Sequence, residues 1–127
     1  MATVALITRS SNSRERSHSL RLTYTNNYRV VVSTTHDKTR KEYRTNVSCV
    51  QVEEALNGFV IEKSIGSIFD KMFLHTINTT PCNRFSDTSF ANAIEVGVTN
   101  YFSNYEGEYM NAIADFISAD SFVNKNN

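Results

Sequence analysis

The chain has 127 residues, of which 40% are hydrophobic and 20% are charged, with one proline and four glycines. These values exclude an intrinsically disordered chain and predict one globular domain, residues 1–127, with a core of its own. The longest apolar runs are only a few residues, so we expect neither a membrane span nor a secretory signal.

The charge is unevenly distributed although the formal net charge is zero. Through Arg44 there are nine Lys or Arg residues against three Asp or Glu residues, and the rest of the chain is acidic. This pattern predicts a basic surface that faces a polyanion. The alternative is a set of solvated basic loops, because several of these cations fall in predicted turns.

Residues 1–25 are predicted to form an N-terminal β-hairpin. The strands Thr3 to Thr8 and Leu20 to Thr25 flank SSNSRERSHS, which has the polar composition of a long hairpin tip. Asn26-Asn27 then predicts a tight turn, because asparagine tolerates positive φ.

The segment YRVVVSTTHDKTRKEYRTNVSCVQV, residues 28–52, predicts two strands joined by a polar turn at His36 to Lys41. Successive side chains of a strand point to opposite faces. The predicted core face carries Tyr28, Val30, Val32, Thr34, Tyr43, Thr45, Val47 and Cys49. The predicted open face carries Arg29, Val31, Ser33, Thr35, Arg44, Asn46 and Ser48. Such a sheet buries its first face and offers its second face to an anionic partner.

The sheet region, residues 28–79, continues through a less regular stretch. We expect a loop at about Glu53 to Gly66, with a short strand at Phe59 to Glu62 as an option within it. Ile68 to Asn78 alternates again, and Thr79-Thr80-Pro81 is expected to end that strand. The alternation places Phe69, Lys71, Phe73 and His75 on one face and Met72, Leu74 and Thr76 on the other. An aromatic ring at Phe69 or Phe73 would give the open face a base-stacking platform.

After Pro81 the apolar period changes from two to about 3.6, which is typical of a helix. Ser86 or Asp87 predicts the N-cap, and residues 87–121 are predicted to form two helices with a break at Glu106-Gly107. The sequence therefore predicts an α+β fold. An N-terminal β-hairpin and an antiparallel β-meander sheet of five or six strands are followed by two C-terminal helices.

Two short helices are not expected to cover such a sheet and also hide their own aromatic stripes. This predicts a symmetric dimer in which the helices of each chain pack over the sheet of the other. The alternative is a monomer whose helices fold back on its own sheet. The residues expected at the dimer interface are Phe90, Ile94, Val98, Tyr101, Phe102, Tyr109, Ile113 and Phe116.

The motifs of common enzymes are missing from the sequence, which has no G-x-S-x-G, no Gly-rich phosphate loop, no H-E-x-x-H and no C-x-x-C. Cys49 and Cys82 match no zinc spacing, and we expect Cys49 to be a buried thiol. We therefore expect no enzyme, no cofactor, no metal and no small-molecule substrate. Nucleic-acid binding fits the predicted open face better, since that face combines cations for phosphate with small polar groups for base edges. The alternative for this face is an ordinary solvated sheet surface.

One family shares this order of elements. The Tyr-Arg-Val at 28–30, the polar turn, the Lys-Glu-Tyr at 41–43, the later strand FDKMFLHTI and the capped helix together resemble the coat protein of the levivirus-type single-stranded RNA bacteriophages. The similarity is closest from about Tyr28 to Cys49 and looser from Phe69 to Phe102. It implies the RNA bacteriophage capsid protein fold, an interlocked dimer with one continuous sheet. It also implies that many dimers assemble in the bacterial host cytoplasm into an icosahedral shell, so that the protein resides in the virion.

The resemblance also assigns residues and partners. It places RNA contacts at Arg29, Ser33, Thr35, Arg44 and Asn46, with Val31 where relatives have a polar residue. Phe69, in place of a tyrosine, would stack on a base beside Lys71. The implied partners are further copies of the chain and single-stranded genomic RNA, including a hairpin whose binding represses translation. Residues 53–66 would be the flexible loop that adapts to the vertices of the shell.

Two other classes of function remain open from the sequence. One is a small dimeric RNA- or DNA-binding regulator that uses the same face and forms no shell. The other is a protein that binds only another protein through its aromatic helices.

Overall fold

The computed structural model describes residues 4–24, 27–54, 57–64 and 75–126. Within these ranges, six strands form one sheet and a long C-terminal helix lies against it. The strands are β1 (Val4–Asn12), β2 (Ser17–Tyr24), β3 (Tyr28–Asp37), β4 (Glu42–Glu54), β5 (Val60–Ser64) and β6 (His75–Pro81). The helix consists of α1 (Asp87–Asn100), a π-helical turn (Tyr101–Tyr105) and α2 (Glu106–Asn126).

All strand pairs are antiparallel, which confirms the predicted α+β class and an antiparallel sheet, with six strands where five or six were predicted. β1 to β4 follow one another in the order of the sequence, and both β5 and β6 pair with β4. β6 lies along the first half of β4, from Glu42 to Val47, and β5 lies along its second half, from Val50 to Glu54. The long central strand β4 therefore has two short neighbours on one side.

The tips of the two hairpins are shorter than predicted. The polar stretch expected as a long tip at residues 10–19 is mostly strand, and only Ser13 to Arg16 form the turn. The Asn12 side chain accepts hydrogen bonds from the amides of Arg14 and Glu15, both at 3.1 Å. A side-chain acceptor in that position closes a tight turn, so the strands can extend up to it although their sequence is polar.

The β3–β4 turn closes in the same way. Asp37 accepts a hydrogen bond from the amide of Arg40 at 3.0 Å. Lys41, the last residue of this turn, has a φ of 53°, and Arg16 at the equivalent place in the first turn has a φ of 51°. Asn27 has a φ of 65°, as the predicted tight turn before β3 requires, whereas Asn26 lies outside the described residues.

The segment expected as a loop at 53–66 is partly sheet. Glu53 and Glu54 still belong to β4, and β5 pairs with them through Ile61 and Val60. The optional short strand is thus confirmed, two residues later at its C-terminal end than predicted. The strand expected to stop at Thr79 also continues, because β6 runs to Pro81 opposite Glu42. Proline is tolerated there, since it lies at the end of a strand that pairs only with β4 in the described sheet.

The helix and one face of the sheet enclose the core. The alternation predicted for β3 and β4 is confirmed, because the predicted core face is buried throughout. β2 contributes Leu20, Leu22 and Tyr24 to the same face, and the helix contributes Val98, Tyr101, Tyr109 and Ile113. The hydroxyls of Thr34 and Thr45, both 1% exposed, satisfy each other across the strands at 2.9 Å. Burial on this face is not always matched by pairing, since Nδ1 of His18 and Nδ1 of His36 are buried without a hydrogen-bond partner.

The predicted helix start is confirmed, and the predicted break is not observed. The Ser86 side chain accepts a hydrogen bond from the amide of Ser89 at 3.1 Å and caps α1. At Glu106-Gly107 the helix continues, with the π-helical turn immediately before it. A single glycine weakens a helix by only about 1 kcal/mol. The burial of Tyr101 on one side of this point and Tyr109 on the other outweighs that cost.

The helix residues expected at a dimer interface are largely used within the chain. Val98, Tyr101, Tyr109 and Ile113 are buried in its own core. Ile94 packs against that core, and Phe90 packs against a smaller cluster of Tyr43, Cys82 and Ala93. Phe102 is 41% exposed, and the side chain of Phe116 lies outside the described part. Within the described residues, one chain buries the core face of its sheet and most of its helical stripe by itself, so the interlocked dimer is not confirmed and stays a prediction.

The described helices differ in length or apolar character from a membrane-spanning helix. Neither α1 nor α2, nor the two together, combines the length and the apolar character needed to cross a bilayer.

Candidate nucleic-acid interface

The sheet face opposite the helix carries the candidate site. We call it the polar face and define it by the outward residues of β2, β3 and β4: Ser17, Ser19, Arg21, Thr23, Arg29, Val31, Ser33, Thr35, Arg44, Asn46 and Ser48. Among the described ranges, the helix is the second layer of the fold, and it lies on the other face. Every residue that the sequence placed on the open face of β3 and β4 belongs to the polar face.

The strand register arranges these side chains in rows that cross the sheet. One row consists of Ser10, Ser19, Ser33, Asn46 and Thr76, which are direct neighbours on five strands. Ser19 and Ser33 lie 3.4 Å apart, and Thr76 donates a hydrogen bond to Asn46 at 2.6 Å. The next row pairs Thr35 with Arg44. The structure therefore brings Ser33, Thr35, Arg44 and Asn46 together, as the sequence predicted.

The two arginines predicted to meet RNA are both engaged in ion pairs. Arg29 donates to Glu62 at 2.7 Å, and Arg44 donates to Glu42 at 2.9 Å. Because a carboxylate already neutralises each guanidinium, the polar face is less cationic than the sequence suggested. The side chain of Arg29 is 13% exposed, so its ion pair is shielded from water more than a typical surface pair.

Glu62 is the centre of a network that the sequence analysis missed. One oxygen, Oε2, accepts from Arg29 Nη1 at 2.7 Å and from Arg21 Nε at 3.2 Å. Burial alone would raise the pKa of this carboxyl, but the hydrogen bonds and charges of Arg29 and Arg21 outweigh burial, so its pKa is lowered. The position of Arg21 on the polar face could have been predicted from the alternation of polar and apolar residues in β2. The position of Glu62 could not have been predicted in this way, because no local sequence pattern shows that β5 pairs with the end of β4.

Two buried valines are neighbours of this network in the strand register. Val31 is 8% exposed and Val50 is 7% exposed, although both point to the polar face. Val31 is the direct neighbour of Arg21, and Val50 is the direct neighbour of Arg29. Arginine stems cover apolar surface while the charged ends stay in water. The resemblance marked Val31 as an RNA contact, but at 8% exposure Val31 offers little surface to a ligand on the polar face.

The stacking platform expected from the strand before Pro81 falls mostly on residues outside the described ranges. Phe69, Lys71 and Phe73 are among these residues. His75, predicted on the same face as Phe69, instead packs against the helix, with its Nδ1 3.2 Å from the Tyr109 hydroxyl. Thr76 is the β6 residue that lies on the polar face. The alternation of β6 is therefore inverted at these two residues relative to the prediction.

Many of the remaining cations lie at one end of the sheet. Arg14 and Arg16 are in the first turn, and Lys38, Arg40 and Lys41 are in the second. Arg16 lies over the ring of Phe85, 4.0 Å from its centroid, and Arg40 pairs with Asp37. These positions favour the interpretation of solvated basic turns over one broad cationic surface.

The described part of the chain contains no group of three His, Cys, Asp or Glu residues placed to hold a metal ion. Cys49 and Cys82 are both free and buried, and burial raises the pKa of the Cys49 thiol to about 12. The predicted buried thiol at Cys49 is confirmed. A thiol with such a pKa is not a reactive nucleophile at neutral pH.

The fold and the site define a two-layer α+β protein with an open, polar sheet face. No protein-family model, no curated protein and no solved structure matches the chain.

Proposed function

We propose that the chain is a structural capsid protein that dimerises, assembles into an icosahedral shell and packages single-stranded RNA against the polar face. The observation that carries this proposal is the division of the sheet into two faces. One face is buried under the chain's own helix, and the other presents guanidinium, hydroxyl and amide groups in rows across the strands.

The chemistry of the polar face suits a ligand bound mainly through its backbone. Arginine donates to phosphate, whereas serine, threonine and asparagine bond to sugar hydroxyls and base edges. The register places Glu42, Glu54 and Glu62 on the same face as Arg21, Arg29 and Arg44, so these charges balance and a bound phosphate has to displace a carboxylate. Weak binding repeated over many subunits is sufficient to hold a genome without selecting one sequence.

Assembly is supported by exposed apolar residues on separate parts of the surface. Leu6 and Ile7 of β1 are more than half exposed, and Phe59 next to β5 is 70% exposed. Val96 and Phe102 are exposed on the helix. Scattered single residues are normal, but exposed apolar positions on three different elements suit a subunit with several neighbours better than one with a single partner. The shell is therefore favoured over the alternative, a small dimeric RNA- or DNA-binding regulator.

Paired charge-removal variants test the role of the polar face. The double variant Arg29→Ala with Arg44→Ala removes two cations from it. The control, Arg9→Ala with Lys63→Ala, removes two cations from the other face of the same sheet, since Arg9 is opposite Leu20 and Lys63 is opposite Gln51. Binding of a labelled single-stranded RNA 20-mer is measured by anisotropy over a range of salt concentrations.

We expect the polar-face variant to bind RNA more weakly than the control. We also expect it to lower the slope of log K against log salt by about 1.4, since each of the two lost phosphate contacts contributes about 0.7. Its dimerisation is expected to change less than its RNA binding. Equal loss of RNA binding in both double variants would contradict the proposal.

A further inference from the structure

We infer that Arg21 and Arg29 form a phosphodiester-binding subsite that Glu62 occupies when RNA is absent. This inference rests on the proposed function, because it takes the ligand of the polar face to be single-stranded RNA. It adds Arg21 to the site and assigns Glu62 the role of an internal competitor.

The geometry is that of a two-arginine anion clamp. A single carboxylate oxygen of Glu62 lies 3.2 Å from Arg21 Nε and 2.7 Å from Arg29 Nη1. A phosphate oxygen is an acceptor of the same charge, and arginine is the side chain best suited to it. Guanidinium has five N–H donors, so each arginine has donors beyond those that reach Glu62.

Both guanidiniums are held in place independently of Glu62. Arg21 Nη1 donates to the Ser10 hydroxyl at 2.8 Å, and Arg29 Nε donates to the Thr23 hydroxyl at 2.9 Å. Each arginine also stands beside a buried valine as its direct neighbour across the strands, Arg21 beside Val31 and Arg29 beside Val50. The clamp is thus preformed on three neighbouring strands, and its geometry does not depend on the carboxylate that fills it.

Glu62 reaches the clamp from a less firmly attached element. β5 has five residues and pairs with β4, whereas the arginines lie on β2 and β3 in the middle of the sheet. The Glu62 side chain is 28% exposed, so water reaches it. Two cations and one anion leave a net charge of +1, which attracts a phosphate, and the bound phosphate then displaces the carboxylate.

The test compares two glutamates of the same hairpin. Glu62→Gln removes the competing charge from the polar face. The control Glu53→Gln removes the charge of a residue that pairs with Lys63 at 3.0 Å on the other face. With the labelled RNA 20-mer at low salt, we expect Glu62→Gln to bind about tenfold more tightly than the wild type, with a steeper salt dependence, because one more phosphate contact forms. Glu53→Gln is expected to stay within about twofold of the wild type, because exposed ion pairs are weak.

A measurement on the wild-type protein covers the case in which Glu62→Gln does not fold. The side-chain carboxyl ¹³C resonance of Glu62 is expected to shift when RNA is added, while that of Glu53 stays in place. If RNA binds but Glu62→Gln gains no affinity, or the Glu62 resonance does not move, the clamp is contradicted and the proposed function stands. If neither wild type nor variant binds RNA, both are contradicted.

Discussion

Gly97 of the helix lies directly over Thr45 of the central strand β4. A Cβ added at Gly97 would lie 2.8 Å from the Thr45 Cγ2 and 2.9 Å from its Cβ, and closer still to its Oγ1. Thr45 cannot move away easily, because its hydroxyl bonds to Thr34 and both residues are buried. This contact fixes how closely α1 approaches the sheet, and the apolar periodicity of the helix gave no indication of it.

Gly97→Ala is therefore expected to destabilise the protein. Overpacking of this kind costs roughly 1–3 kcal/mol, which exceeds the gain of about 1 kcal/mol in helix propensity. Gly107→Ala is the matched control, because an added Cβ at Gly107 meets nothing within 4 Å. We expect Gly107→Ala to raise the free energy of unfolding by about 0.5–1 kcal/mol. Urea denaturation measures both, and a Gly97→Ala variant as stable as Gly107→Ala would contradict the packing described.

The Thr34–Thr45 pair predicts strong coupling in a double-mutant cycle. Either single change to valine leaves one buried hydroxyl without its partner, at a cost of about 1–3 kcal/mol. The double change removes both hydroxyls and is expected to cost much less than the sum. Chemical denaturation of the four proteins gives the coupling energy. Additive effects would indicate that the 2.9 Å hydrogen bond contributes nothing to stability.

We expect the free energy of unfolding to fall in mild acid because of the buried His18 side chain. Burial lowers its pKa, nearby Arg9 lowers it further, and Glu95 opposes them only in part. The folded state therefore binds this proton less readily than the unfolded state, in which the pKa is near 6.5. The stabilising contribution is fully present above pH 6.5 and is lost as the pH falls below that value toward the lowered pKa.

Urea midpoints at pH 7.5 and 5.5 measure this effect. We expect the wild type to lose more stability between these two pH values than His18→Phe does. His36, whose pKa is also lowered, first by burial, is left unchanged in that variant and accounts for part of the remaining pH dependence. An equal loss in the wild type and in His18→Phe would show that His18 does not titrate with folding.

We expect the contribution of Glu62 to stability to depend on pH in a more acidic range than that of His18. Since its pKa in the folded protein lies below the usual value of 4.5, its contribution is present above pH 4.5 and is lost as the pH falls through the lowered pKa. At pH 7 we expect Glu62→Gln to be less stable than the wild type by about 1 kcal/mol. This difference should shrink as the pH falls below 4. Thermal unfolding of wild type and Glu62→Gln at pH 7 and at a pH below 4 measures this difference in stability. A difference that does not change with pH would exclude the ion pairs as its source.

Side-chain alternation was sufficient to predict the faces of β3 and β4, because a half-buried antiparallel strand repeats every two residues. The helix start was also readable, since Ser86 is a strong cap. The hairpin tips are short because the side chains of Asn12 and Asp37 accept hydrogen bonds that close tight turns. The polar composition of both segments predicted longer tips instead. The missing helix break shows tertiary packing overriding a local signal at Gly107.

The sequence predicted which hydroxyl and amide side chains lie on the polar face. It did not predict the ion pairs that Glu62 forms with the arginines there. The sequence placed Ser33, Asn46 and Arg44 side by side, because they belong to adjacent strands of one hairpin. Glu62 is separated from Arg29 by 33 positions and from Arg21 by 41 positions, and only the pairing of β5 with β4 brings them together. Non-local strand pairing of this kind leaves no periodic trace in a single sequence.

Particle formation tests the central claim most directly. The chain is expressed in bacteria, purified, and examined by gel filtration before and after nuclease treatment and then by electron microscopy. The capsid proposal predicts closed particles of uniform size that elute near the void volume and contain RNA protected from nuclease. A protein that light scattering shows to be monomeric at moderate concentration, with no particles in the micrographs, would contradict it.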